Sequence, residues 1–437
     1  MERVWTRSWR VGSLNPHQGF SIFSQRLSIF CVIAWVVFVL MGPSLAMALS
    51  YSFPGALQTY VQPLSDRGFQ LGPLKIRPGV GVAETYTDNL FLEPDGDYDF
   101  VTTISPFLDL TLPFGRHSFE VLYQSDFIEP AHFSEYSVDH HFIDGYLNFD
   151  FPGGLVIRVG NEWMYNSNPP TFKGDYLYRY NRNTTPLEVT YSFTDRYSVG
   201  LRYAHEFVRY TKELFEVDNI DQDNVILDLN YRILPKTTVF LEGGWAYQRF
   251  PERVLVSTDN NEYHIWLGAT TTPAAKIVGT LAGGYTRRVY EDDQAGGPVD
   301  GFNVKGNLYY LLTPRTRISL EVFSLFQSTY FTTTDNPIYG STYRDTSVTL
   351  GISQAFSYRL TASASVGYGN LDFSGEGPVA TVSDRQDNLY LAEASLEYKI
   401  WKYIGLGLQY NFVKDDSNVG SEDYTENRVT FAIDFRL

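Results

Sequence analysis

Cysteine is almost missing from this 437-residue chain, and the single one, Cys31, lies in an apolar stretch near the N-terminus. A chain trimmed after that stretch contains none. That excludes disulfides and thiolate metal sites, and it suits a protein that crosses an oxidising compartment unfolded. Positive charge is scarce too: 34 Lys and Arg face 50 Asp and Glu. Without residues 1–48 the balance is 30 basic against 49 acidic. Phosphate binding needs a basic footprint, so nucleic acid is excluded as a partner. Beyond the N-terminal stretch no apolar run is long enough for a membrane helix. A GxSxG elbow is absent and no nucleophile with an oriented histidine stands out, so no enzyme is expected.

What the N-terminus does hold is an export pattern. Arg3, Arg7, Arg10 and Arg26 precede "IFCVIAWVVFVLMGPSLAMA", and "AMA" before Leu49 has the small-x-small form of a cleavage site. Gly42-Pro43 breaks the helix that an uncleaved anchor would need, so residues 1–48 read as a removed signal peptide. Phe30 before Cys31 does not fit a lipoprotein site. A Pro- and Gly-containing lead-in over 49–74 follows, expected either in the periplasm or as a plug in the lumen.

From residue 75 onward the pattern is alternation. "NVILDLNYRI" sets Val225, Leu227, Leu229, Tyr231 and Ile233 against Asn224, Asp228, Asn230 and Arg232. "RVTFAIDFRL" does the same at the C-terminus. Period two is the strand period. Strands are joined in pairs by tight turns such as "PFGRH", "PGG" and "TPRT", and the pairs by longer polar connections such as "EPAHFSEYSVD" and "KELFEVDNIDQD". Short turns at one end and long loops at the other are the rhythm of a transmembrane antiparallel up-and-down β-barrel, with periplasmic turns and extracellular loops. The fold class is all-β: one barrel over 75–437, of about 18 strands, with 16 as the alternative count. Aromatics, 16% of the chain, gather near strand ends (Trp163, Tyr165, Tyr203, Tyr247, Tyr285, Tyr310), where membrane interfaces would lie.

A charge on the lipid face costs ~2–4 kcal/mol at the bilayer midplane, so charged strand positions are expected to point inward. Those are the acids Glu120, Asp126, Asp144, Asp150, Glu162, Glu188, Glu206, Asp228, Glu242, Glu321, Glu397 and Asp434. The bases are Arg158, Arg202, Arg232, Arg288, Arg317, Arg428 and Arg436. Tyr146, Trp266 and Tyr309 join them on this face as stacking platforms for sugars. Lumen side chains set which solutes pass. Ser363, Ser365, Gly367 and Gly369 form a stretch of small inner residues.

At Gly81, Glu84, Thr85, Thr87, Asp88 and Asn89, then Thr102, Thr103, Ile104, Ser105 and Pro106, the sequence resembles the putative beta-barrel porin 2 family of bacterial outer-membrane proteins. The resemblance implies an outer-membrane porin associated with exopolysaccharide export. Its partners would be outer-membrane lipid and lipopolysaccharide, the barrel-insertion machinery, polysaccharide and a periplasmic export complex. A barrel plugged by its own segments and serving as a structural anchor is the competing reading. The terminal Leu437, in place of an aromatic, departs from the usual end of such barrels.

No cofactor or metal is implied. Asp95, Asp97 and Asp99 imitate the start of a calcium loop, but the glycine and bidentate glutamate that should follow are missing. His140 and His141 point to opposite faces of one strand and do not share a metal.

Overall fold

Alternation turns into hydrogen-bonded strands wherever the computed structural model describes the chain. That is residues 68–437, apart from 169–177, 254–256, 272–275, 293–296, 329–341, 374–384 and 421. The export signal and residues 49–67 of the lead-in lie outside the described residues. A three-residue strand, β1 (Phe69–Leu71), pairs back on β2 (Leu74–Thr87) through a turn at Gly72, whose φ of +62° suits glycine. "FQL" is too short to show a period, so this strand was not legible in the lead-in.

Seventeen further strands follow: β3 (Asp99–Phe114), β4 (His117–Pro130), β5 (Val138–Asp150), β6 (Leu155–Asn168), β7 (Tyr178–Ser192) and β8 (Tyr197–Tyr210). Then come β9 (Ile220–Leu234), β10 (Thr237–Arg249), β11 (Asn260–Thr271), β12 (Ile277–Tyr290), β13 (Val299–Thr313) and β14 (Thr316–Ser328). The last are β15 (Thr342–Ala355), β16 (Leu360–Asp372), β17 (Gln386–Trp401), β18 (Ile404–Ser417) and β19 (Tyr424–Arg436). Each pairs antiparallel with the next, and β19 returns to β2, with Arg428 opposite Thr87 and Arg436 opposite Gly79. The ring therefore closes on 18 strands, leaving β1 as an appendage. Connections span two to five residues at one end and six to thirteen at the other.

The ring has a concave and a convex face. Side chains converge on the first and cover one another; on the second they diverge. Leu201, Leu227, Leu229, Ile265, Leu267, Leu350, Val366, Leu408 and Phe431 are all exposed, and all belong to the convex set. The opposite parity is polar and buried: Thr85, Thr103, Thr184, Glu206, Glu242, Arg288, Asn303, Asp345 and Thr430. In water such an apolar exterior would be unstable. In a bilayer it is the solvated surface.

Two prolines interrupt the wall. Proline cannot donate to a ladder, and the β3–β4 and β6–β7 ladders skip Pro106 and Pro186. Neighbouring side chains make up the deficit. Ser105 Oγ donates to Asp126 Oδ1 at 2.5 Å; Asn161 Nδ2 donates to the Thr184 carbonyl and Asn183 Nδ2 to that of Glu162, both at 3.3 Å.

The residues of the family-like signature stitch the seam between β2 and β19. Thr85 Oγ1 lies 3.0 Å from Thr430 Oγ1, and Thr87 Oγ1 donates to Glu426 Oε1 at 2.7 Å. Asp88 accepts from both the backbone and side-chain nitrogens of Asn427, each at 2.7 Å. Asn89 Nδ2 reaches the carbonyls of Glu93 and Thr425.

Candidate functional site: the charged inner face

Residues on the concave face are built around a repeated pairing of ring and glycine. Phe107 stands directly opposite Gly79, Tyr146 opposite Gly160, Phe240 opposite Gly268, His264 opposite Gly244 and Trp266 opposite Gly284. In each pair the ring lies over the glycine, so closely that an added Cβ would come within 2.2–2.6 Å of it. A side chain there would push the ring into the lumen.

Cations cap three of those rings. Arg158 sits 3.5 Å above the Tyr146 centroid, Lys305 4.5 Å above Trp266 and Arg436 5.6 Å from Phe107. Arg317 lies 5.3 Å from the Tyr309 centroid in the same way. This corrects the expectation that Tyr146 and Trp266 stack on sugars. Glycine holds one face, a cation the other, and the rings are only 8% and 5% exposed.

From β8 to β13 the inner charges pair across strands. Arg202 is bidentate to Asp228 (2.8 and 2.9 Å) and donates to Glu242 Oε2 at 2.7 Å. Lys305 reaches Glu242 Oε1 at 3.3 Å, with His264 Nε2 at 3.7 Å from the same oxygen. Arg288 bonds Glu262 at 2.7 Å. Arg202, Glu242, Glu262, His264 and Lys305, with Trp266 and Asn224, line a cavity of about 230 Å³ in the wall. Glu262 and Lys305 were not among the residues expected here. Lys305 was legible, since it alternates with Asn303 and Asn307 in "FNVKGN".

The remaining residues expected inward divide by whether they find a partner. Glu206 pairs with Arg182 at 2.7 Å, Asp434 with Arg436 at 3.4 Å, Arg428 with Glu426, and Asp150 with Arg116 of a short turn at 2.9 Å. Glu188 lies between Arg158 and Arg202 in the ladders. Arg232 is exposed beside a short turn. Glu120 and Asp126 accept only from uncharged groups, among them Ser118 and Ser105. Asp144 and Glu162 stand directly opposite each other on β5 and β6. Among the described residues, neither they nor Glu321 and Glu397 form a salt bridge within 4.0 Å.

At the long-loop end the connection after β8 turns onto this face. A short 3-10 helix (Glu213–Asp218) carries Phe215, 1% exposed, onto Val208, Tyr210, Ile220 and Phe250. Arg253 of the next loop fixes it through Asp218 (2.9 Å) and the Val217 carbonyl (3.1 Å). In the sequence this stretch is simply a polar connection, because one phenylalanine among acids gives no period.

Other sequence features resolve into local structure. Asp99 is fully buried and accepts from the backbone nitrogens of Phe100, Ala131, His132 and Phe133, holding a loop together. His140 bonds Ser167 at 2.7 Å, while His141 packs on the convex side between Tyr123 and Tyr165. Among the described residues no three His, Cys, Asp or Glu are grouped as a metal site.

The family model described as Putative beta-barrel porin 2 matches residues 62–437. Among solved structures, the chain is similar to OpdL of Pseudomonas aeruginosa, with 12% identity, a TM-score of 0.46, and 84% of this chain and 99% of that one covered. A BenF-like porin of Pseudomonas fluorescens Pf-5 gives 11% identity and a TM-score of 0.49 over 83% and 99%. OccAB3 of Acinetobacter baumannii gives 12% and 0.47 over 83% and 99%. No curated protein matches the chain.

Proposed function

For a chain that belongs to the Putative beta-barrel porin 2 family and lies in the bacterial outer membrane as a porin-like channel, we propose passive conduction of polar solutes through the lumen, lined by the charged inner face. One observation carries this reading: 18 strands close into a ring whose concave face is polar. A ring of that size leaves an aqueous passage unless something fills it. Charged groups such as Glu120 and Glu162 then remain hydrated on the wall instead of paying for burial in a dry core.

Export of an exopolysaccharide, with a periplasmic export complex as partner, rests on the family resemblance and is a narrower form of the same proposal. The covered faces of Tyr146 and Trp266 favour hydrogen-bonding and ionic contact with a passing polymer over stacking. Lipopolysaccharide around the convex face and delivery by the barrel-insertion machinery belong to the proposal as well. The anchor reading has one observation in its favour, the Phe215 loop seated against the inner face.

Planar-bilayer recording of the purified, refolded chain tests the choice. Stepwise conductance is the expected result. A silent barrel that begins to conduct when residues 211–219 are replaced by a short Gly-Ser linker would establish the plug; one that stays silent would remove the channel.

A further inference from the structure

The structure carries an inference about which solutes pass, and it rests on the channel reading just given. We infer that the lumen is cation-selective, and that the inner carboxylates Glu120, Asp144 and Glu162 on β4, β5 and β6 set the preference. Its solutes would be those bearing positive charge, amines among them, with anionic polymers disfavoured.

The charge of the inner wall is unevenly neutralised. Several of its cations are ion-paired, Arg202 and Lys305 with Asp228 and Glu242, Arg288 with Glu262 and Arg182 with Glu206, while Arg158 rests on the Tyr146 ring and keeps its charge. A guanidinium held by a carboxylate contributes little free positive field. Among the described residues Glu120, Asp144 and Glu162 form no salt bridge within 4.0 Å, and one cation, Arg158 over the Tyr146 ring, stands beside the three of them. Asp144 and Glu162 face each other across one ladder, an arrangement that repels unless a cation lies between them. Asp144 Oδ1 accepts no hydrogen bond at all. Glu120 stands opposite Tyr146 on the neighbouring strand, so the three acids form one patch.

The far wall opposes it only weakly, with Arg317 of β14 beside the Tyr309 ring. In a ring of 18, β15 lies nine strands from β6, directly across. Of its inner positions and those of β16, Ser347, Thr349, Gly351, Ser363, Ser365 and Gly367 are small and uncharged, and Asp345 adds a further acid. A solute between these walls meets a carboxylate field on one side and room on the other. The field reaches ~10 Å in 0.1 M salt and ~3 Å in 1 M, so the preference should fade as salt rises.

The test is the reversal potential of the refolded full chain in a planar bilayer under a tenfold potassium chloride gradient. The wild type should show potassium several-fold more permeant than chloride, less so in molar salt. The triple variant Glu120→Gln, Asp144→Asn, Glu162→Gln should move toward equal permeability. It should also fold, because it removes repulsion and breaks no salt bridge. Glu84→Gln, on the convex face, should change nothing. A wild type that prefers chloride, or a conducting triple variant with unaltered preference, overturns the inference and leaves the channel standing. Absence of any current removes the channel reading and this one with it.

Discussion

At the scale of single residues, the inner face separates side chains that brace the wall from side chains that only charge it. Glu242 is a brace: Arg202 and Lys305 both converge on it, and its side chain is 9% exposed. Removing one partner from a buried pair leaves uncompensated charge, at a cost of ~3–5 kcal/mol. Glu242→Gln is therefore expected to lower stability by about 2–4 kcal/mol, somewhat below that range because glutamine still accepts a hydrogen bond. Urea unfolding in detergent micelles, followed by tryptophan fluorescence, measures it. Glu120→Gln, whose carboxylate touches only uncharged groups, should stay within ~0.5 kcal/mol of the parent. Glycine matters at a different point. A Cβ at Gly160 would lie 2.4 Å from the Tyr146 ring, so Gly160→Ala must lift the ring and the Arg158 resting on it. We expect a loss of about 1–3 kcal/mol in the same assay.

Among elements, the seam between β2 and β19 is where side chains do most to reinforce a ladder. The double variant Asp88→Ala, Asn89→Ala removes bonds to Asn427, Glu93 and Thr425. Its folded form should lose its fast electrophoretic mobility in SDS at a lower temperature than the parent, while Asp95→Ala in the adjoining loop should not. The Phe215 loop has a comparable fastening, and Arg253→Ala should make residues 211–219 accessible to protease. An unchanged digestion pattern would show that the apolar cluster alone suffices. Strand sequence was legible at this scale because period two survives mixed composition: Asp228 between Leu227 and Leu229 already assigns both faces. The ring–glycine pairs were not, since each joins two residues whose pairing depends on register. The fate of Phe215 was hidden for a similar reason, as folding back onto an inner wall leaves no local trace.

For the whole molecule, the decisive feature is the inverted distribution of apolar surface. Leu227 stands midway along β9 and is 46% exposed; Ile233 lies near the short-turn end of the same strand. Leu227→Arg should cost ~2–4 kcal/mol when folding into bilayers and Ile233→Arg only ~0–1, because the penalty depends on depth. Equal costs, read from urea titrations of vesicle-inserted protein, would mean that the convex face does not contact hydrocarbon. The strand count, the two-sidedness and the asymmetric ends were all legible in the sequence. Which inner charges neutralise which was not: Arg202 and Lys305 meet at Glu242 from strands five places apart, and nothing local marks that meeting.

The closing ladder joins residues near 80 to residues near 430. Until the final hairpin is in place, the opening strand has a bare edge, and so does whichever strand was added last. A chain halted in synthesis before Tyr424 has two such edges and no way to satisfy them alone. Sealing the cylinder is thus reserved for the β18–β19 hairpin, and until then the growing sheet must be sheltered from its own kind.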